Sequence, residues 1–169
     1  WQGQSLIGRE QDVAAVLVEL LVASERFSYG ENVNTLDHAL QAAALATAEQ
    51  DSADLVLAAL LHDIGHVLGD AGQWGLPDHA EVAARMLQSL LSPTVVEPIR
   101  LHVAAKRYLV ATDPEYVDRL SEASIMTLAQ QGGSSTGDEV AAFETTPHWQ
   151  SAVTLRRWDD NGKANGLVI

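Results

Sequence analysis

The sequence predicts an all-α fold. Apolar residues recur at helical spacing, Ala and Leu dominate those stretches, and alternating β-branched residues are scarce. With 169 residues, 47% of them hydrophobic and 20% charged, the chain can bury a core without staples. It reads as one domain over 1–169, with no internal repeat, low-complexity tract or linker.

The first helix is expected from about Asp12 to Ser24, with Val13, Val16, Leu17, Leu20 and Leu21 as its apolar stripe. Residues Ser28 to Asn32 form a loop. Helix two runs from about Thr35 to Glu49, with Leu36, Leu40, Ala43 and Ala44 inward. Helix three starts near Ser52, a fitting N-cap, and continues into His66 unless Gly65 ends it. A Gly-rich loop, Asp70 to Pro77, leads to helix four, capped by Asp78 and reaching about Leu91. Pro93 breaks it, and helix five runs from about Val95 to Ala105. Helical stretches follow at Ser121 to Gln131, Asp138 to Phe143 and His148 to Asp160, separated by Gly132-Gly133-Ser134-Ser135 and by Pro147. The tail from Asn161 has no strong pattern.

Composition excludes several functions. There is no cysteine, so a disulfide framework, a thiolate zinc site and an iron–sulfur cluster are ruled out, and a reducing cytoplasm fits. Ten Lys and Arg against 23 Asp and Glu give a formal net charge of −13, which disfavours a nucleic-acid face or binding to an anionic membrane. No apolar run is long enough to span a bilayer and no signal peptide is expected.

The informative segment is Leu60-Leu61-His62-Asp63-Ile64-Gly65-His66. Imidazole and carboxylate are ligands shared by Zn, Fe and Mn, and one carboxylate can bridge two ions through its two oxygens. An isolated His–Asp pair also reads as a helix C-terminus carrying a favourable His. The rest of the chain weighs against that: His38 falls on helix two, His79 in the first turn of helix four, His102 on helix five, and Asp159 on the last helix. A ligand type on each of several helices is a metal-site pattern.

This ordered set resembles the HD-domain superfamily, from about Tyr29 to Lys163. The resemblance implies a helical bundle in which His38, His62, Asp63 and Asp159 hold one metal and Asp63 bridges to a second held by His79 and His102. The His62–Asp63 pair is then the catalytic centre. The flanking segments are similar to those of the mixed-valence di-iron oxygenases of phosphonate degradation: Tyr29 to Gln41 before the first ligand, His102 to Leu109 with its lysine, Ser124 to Gly133, and Leu155 to Asp160 with Lys163 beyond. Membership there implies two iron ions in the Fe(II)/Fe(III) state, O2 as co-substrate and oxidative cleavage of the C–P bond of a 1-hydroxyalkylphosphonate. The substrate expected is 2-amino-1-hydroxyethylphosphonate, giving glycine.

Five of the ten basic residues (Lys106, Arg107, Arg156, Arg157 and Lys163) cluster near two of the ligands. Screening over about 8 Å makes such a local group decisive against the overall negative charge. His66, Lys106, Arg156, Ser124 and Thr127 are the expected phosphonate cradle. One of Arg156 and Arg157 faces the site and the other solvent, the motif favouring Arg156. Lys106 also reads as a solvated helix lysine, Lys163 as a C-terminal charge, and Ser124 and Thr127 as surface hydroxyls. By the resemblance, Glu31 takes a substrate ammonium. Tyr29 is the possible cap of the open iron position, although Ser28 occupies the matching place. His148 is expected to be structural or exposed, and Trp74 to pack in the core. Two other functions use the same residues: a metal-dependent phosphohydrolase or phosphodiesterase, and a non-catalytic module that binds a phosphorylated effector. The residues leave the oligomeric state open.

Overall fold

The computed structural model describes residues 3–28, 33–69, 71–75 and 77–164, with side chains from residue 12 onward and excepting that of Trp74. Tyr29 and Glu31, and the packing expected of Trp74, therefore lie outside the described residues. Among the described residues the chain is all helical: α1 (Gly3–Ser24), α2 (Thr35–Ala48), α3 (Ala53–Leu61), α4 (His79–Leu87), α5 (Pro93–Thr112), α6 (Glu122–Gln130), α7 (Gly137–Glu144) and α8 (Trp149–Asn161). Short 3₁₀ segments lie at Ile64–Leu68, Ala71–Trp74 and Val117–Arg119.

Small residues let the central helices approach closely. Ala42, Ala46, Ala58, Ala59, Ala83 and Ala84 are fully buried, and around them pack Leu61, Leu87, Ile99, Leu155 and Trp158. Helix α5 lies along α8 and also contacts α3 and α4, while α2 packs on α3 and α8. Every helix that carries a proposed ligand thus meets in the middle of the bundle.

Helix starts follow local chemistry. Asn34, Ser52, Asp78 and Ser121 each accept a backbone N–H from the residue three positions on, satisfying a donor that the first turn leaves unpaired. Pro93 opens α5 rather than merely ending the helix before it, since its missing N–H costs nothing in a first turn.

Several expected boundaries are corrected. Helix α3 stops at Leu61 instead of running into His66, and the chain tightens into the 3₁₀ segment after Asp63. Helix α4 ends at Leu87, short of Leu91. Helix α5 continues to Thr112, because Leu109 is buried and Tyr108 packs against Phe143 and Trp149, so the apolar face resumes after the basic pair. Helix α1 begins nine residues earlier than expected, at Gly3. Two stripe assignments also fail. Val16 is 51% exposed, and Leu40 is 39% exposed because α2 turns Ala39, Ala42 and Ala46 inward.

Candidate dinuclear metal centre

Three of the six expected ligands are set by the same device. The imidazole of His62 folds back so that Nδ1–H donates to the carbonyl of Ala59 at 2.8 Å, and that of His102 donates to Ile99 at 2.7 Å. His38 donates from Nδ1 to the carbonyl of Gly162, 2.8 Å away, just past the end of α8. A ring whose Nδ1 carries the proton presents Nε2 as a lone pair, and backbone carbonyls are common partners of metal-ligating histidines.

These lone pairs converge in two groups. Nε2 of His38 and Nε2 of His62 are 3.1 Å apart, with Oδ1 of Asp159 at 3.3 and 3.9 Å from them. Nε2 of His79 and Nε2 of His102 are 3.0 Å apart. Asp63 stands between. Its Oδ2 lies 3.6 Å from His38 Nε2 and 3.5 Å from His62 Nε2, while its Oδ1 lies 3.2 Å from His79 Nε2 and 3.8 Å from His102 Nε2. Each carboxylate oxygen thus faces one histidine pair, the arrangement of a bridging ligand.

This donor set fits metal ions. Two lone pairs at about 3 Å repel unless a proton or cation lies between them. Metal–ligand bonds of about 2.1 Å at right angles put neighbouring donor atoms about 3.0 Å apart. Most of the groups are buried: His62 is 0%, His102 1%, Asp159 4% and His38 6% exposed. Burial opposes ionisation of Asp63, but His62, His79 and His66 outweigh it and hold the carboxyl well below its usual range. Burial likewise opposes ionisation of Asp159, and Arg156 and Lys163 overcome it. Burial lowers the pKa of His62 and His102, keeping them neutral as ligands must be.

Gly65 explains the turn that makes this possible. A Cβ there would sit 2.0 Å from the carbonyl oxygen of His79, so only glycine lets the 3₁₀ segment lie against the start of α4. The turn also carries His66 onto His79, where the rings stack at 3.9 Å and 18°. His66 therefore does not share a helix face with His62. Burial and His79 depress its pKa to about 4, so it is a neutral hydrogen-bonding group at pH 7 rather than a cation.

Beside the ligands lies a cavity of about 110 Å³. Lys106, one turn beyond His102, enters it from α5, and its Nζ donates to Thr127 Oγ1 at 2.9 Å and to the Ser124 carbonyl at 3.4 Å. Burial and the charge of Arg156 lower its pKa to about 8. Arg156 donates from NH2 to Ser124 Oγ at 3.3 Å, and Lys163 from Nζ to the same oxygen at 3.1 Å. Lys163 also lies 3.5 Å from Asp159 Oδ1. The basic cluster is smaller than the five residues suggest. Arg157 is exposed, and Arg107 turns away to the Gly133 carbonyl and Glu139.

Residues 35–129 match the HD domain family. The chain belongs to the HD-domain oxygenases. It is 43% identical over 162 residues to the hydroxymethylphosphonate dioxygenase of Gimesia maris, covering 90% of this chain and 79% of that protein. It is 41% identical over 139 residues to the [1-hydroxy-2-(trimethylamino)ethyl]phosphonate dioxygenase (glycine-betaine-forming) of Leisingera caerulea, covering 79% of this chain and 71% of that one. The HD-domain oxygenase described here is all helical among its described residues, and none of their helices is long and apolar enough to cross a membrane.

The structure brings His38, His62, Asp63, His79, His102 and Asp159 together, and lines the adjoining cavity with His66, Lys106, Ser124, Thr127 and Arg156. Sequence reasoning gave no role to Gln131, whose Oε1 is buried at the cavity without a hydrogen-bond partner among the described residues, or to Gln41. Gln41 pairs with both backbone groups of Ala164 at 2.9 Å and so straps the tail that supplies Gly162 and Lys163. It missed Tyr116 and Asp160 as well. Asp160 had a visible signal, its place four residues after Arg156 on a helix.

Proposed function

We propose that this HD-domain oxygenase holds two iron ions and uses O2 to cleave the C–P bond of a small 1-hydroxyalkylphosphonate. The observation that carries this reading is Asp63, one oxygen toward His38 and His62 and the other toward His79 and His102, beside a cavity lined with cations and hydroxyls. When bound, the iron pair would activate O2 and accept electrons from the substrate. The balance is R–CH(OH)–PO3(2−) plus O2 giving R–COO(−), HPO4(2−) and H(+).

The chain's own residues bind and orient. His38, His62 and Asp159 would hold one ion and His79 and His102 the other. Lys106, Arg156 and Lys163 offset the phosphonate's charge, which the molecule's net −13 repels at long range. Ser124 and Thr127 already bond these cations and so fix where they point. Neutral His66 offers a hydrogen bond at the same wall. Fixing the phosphonate fixes the direction of the C1–H bond.

For the tail, the reading is 2-amino-1-hydroxyethylphosphonate, giving glycine and phosphate. It rests on Glu31, seven residues before His38, as partner of a primary ammonium. A second reading, hydroxymethylphosphonate giving formate, is favoured by the name of the 43% identical relative and by the small cavity. A competition at limiting O2 among the amino, hydroxymethyl and trimethylamino substrates separates them. Glycine in excess supports the first reading, formate in excess the second, and glycine betaine in excess refutes both. Phosphate release that persists under argon would replace the oxygenase reading with phosphohydrolysis.

A further inference from the structure

We propose that Asp160, braced by Tyr116, is a positioning residue that keeps Arg156 off the metal-facing oxygen of Asp159. The inference rests on the reading of His38, His62 and Asp159 as a metal site.

Arg156 and Asp159 are neighbours on α8, three residues apart and both 4% exposed. A guanidinium beside a carboxylate pairs most strongly through two parallel bonds, which occupy both carboxylate oxygens. A doubly held Asp159 would have its metal-facing oxygen drawn toward the guanidinium and one of that oxygen's lone pairs spent. The structure shows a different pairing. Only Nη1 of Arg156 reaches Asp159, at 2.5 Å, and it takes Oδ2. Oδ1 stays directed at His38 Nε2, 3.3 Å away, with Lys163 Nζ 3.5 Å from the same oxygen and no guanidinium nitrogen bonded to it.

The two-pronged edge of Arg156 is spent on Asp160 instead. Nη2 donates to Asp160 Oδ1 and Nε to Oδ2 at 3.2 Å. Tyr116 locks the pair from the other side. Its hydroxyl accepts from Arg156 Nε at 3.0 Å and donates to Asp160 Oδ2. The ring is held among Leu109 and Leu120, with Tyr116 only 3% exposed. Neither Tyr116 nor Asp160 lines the cavity, and their hydrogen bonds reach the site through Arg156.

The test is an anaerobic Fe(II) titration of metal-stripped protein, counting bound iron against free iron, with helicity and melting temperature of the stripped protein recorded alongside. The unmodified chain should hold two irons. Asp160→Asn should weaken one of the two by about 10–100-fold, the range expected for groups that support a ligand. In an Arg156→Met background the same Asp160→Asn change should have no further effect, since the arginine it restrains is gone. Tyr116→Phe preserves the ring and should weaken the same iron several-fold; it carries the test if Asp160→Asn does not fold. Unchanged iron affinity in Asp160→Asn, even with a lowered melting temperature, would overturn the proposal and leave Asp160 a purely structural residue. An equal loss in both backgrounds would also overturn it. If the unmodified chain binds no iron, the metal-site reading fails first and takes this proposal with it.

Discussion

The two halves of the candidate ligand cluster are built to different degrees of closure. His38 and Asp159 lie on α2 and α8 and His62 just past the end of α3, and all three are nearly sealed, with side chains 7%, 5% and 0% exposed. Opposite them, Asp63 and His79 are 17% and 16% exposed, and only His102 matches the first half at 1%. The sealed half rests on α2, α8 and the residue that follows α3. The open half depends on a 3₁₀ turn pressed against the first residue of α4. The lesson is that the helical core builds one half directly, whereas the other needs a glycine contact and the single carboxylate that joins them.

Removing that carboxylate has the largest expected effect. Asp63→Ala takes an oxygen from each half, so the dinuclear site should not assemble and activity should fall to background. Two irons held tightly by this variant, counted by metal analysis, would refute the ligand assignment.

Next in size is Lys106→Ala, which touches the cavity and neither half. Charge-assisted hydrogen bonds are worth about 1.5–3 kcal/mol, or about 10–150-fold in affinity. KM should rise by that factor with iron content unchanged; loss of iron would make Lys106 structural. Its pKa of about 8, lowered by burial and Arg156, gives a pH signature. The ammonium is present below about pH 8 and lost above it, so kcat/KM should decline through that value as pH rises, and the decline should vanish in Lys106→Met.

Gly65→Ala tests the open half alone. The added Cβ meets the His79 carbonyl at 2.0 Å, and overpacking of this kind costs about 1–3 kcal/mol. Thermal unfolding should register the loss, and one iron should become labile. Wild-type stability with two tight irons would mean the contact does not set the turn.

The smallest effect concerns exchange. A chelator added to the loaded protein should withdraw one iron several-fold faster than the other, since His79 and Asp63 are the more exposed of these residues. A single rate for both ions would erase the distinction between the halves.

Much of this was legible in the sequence, and for reasons that can be named. The six candidate ligands stand out because histidine and aspartate interrupt apolar helical stretches, where an unpaired charge is costly. The caps at Ser52 and Asp78 follow from side-chain chemistry three residues deep. Burial of Leu40 was misjudged because alanines, not the larger leucine, form the close helix contact. The turn after α3 is not legible locally because Gly65 lies against the carbonyl of His79, fourteen residues further along the chain. Tyr116 escaped notice for the same kind of reason: it meets Arg156 only through the fold, forty residues apart. Contacts between distant segments leave no local pattern to read.

The central claim is that two iron ions share Asp63 and drive an oxidation. Metal analysis with electron paramagnetic resonance on anaerobically purified protein tests it most directly. The account predicts two irons per chain and a mixed-valence signal, with phosphate release that requires O2. Two zinc or manganese ions, with phosphate release undiminished under argon, would contradict it.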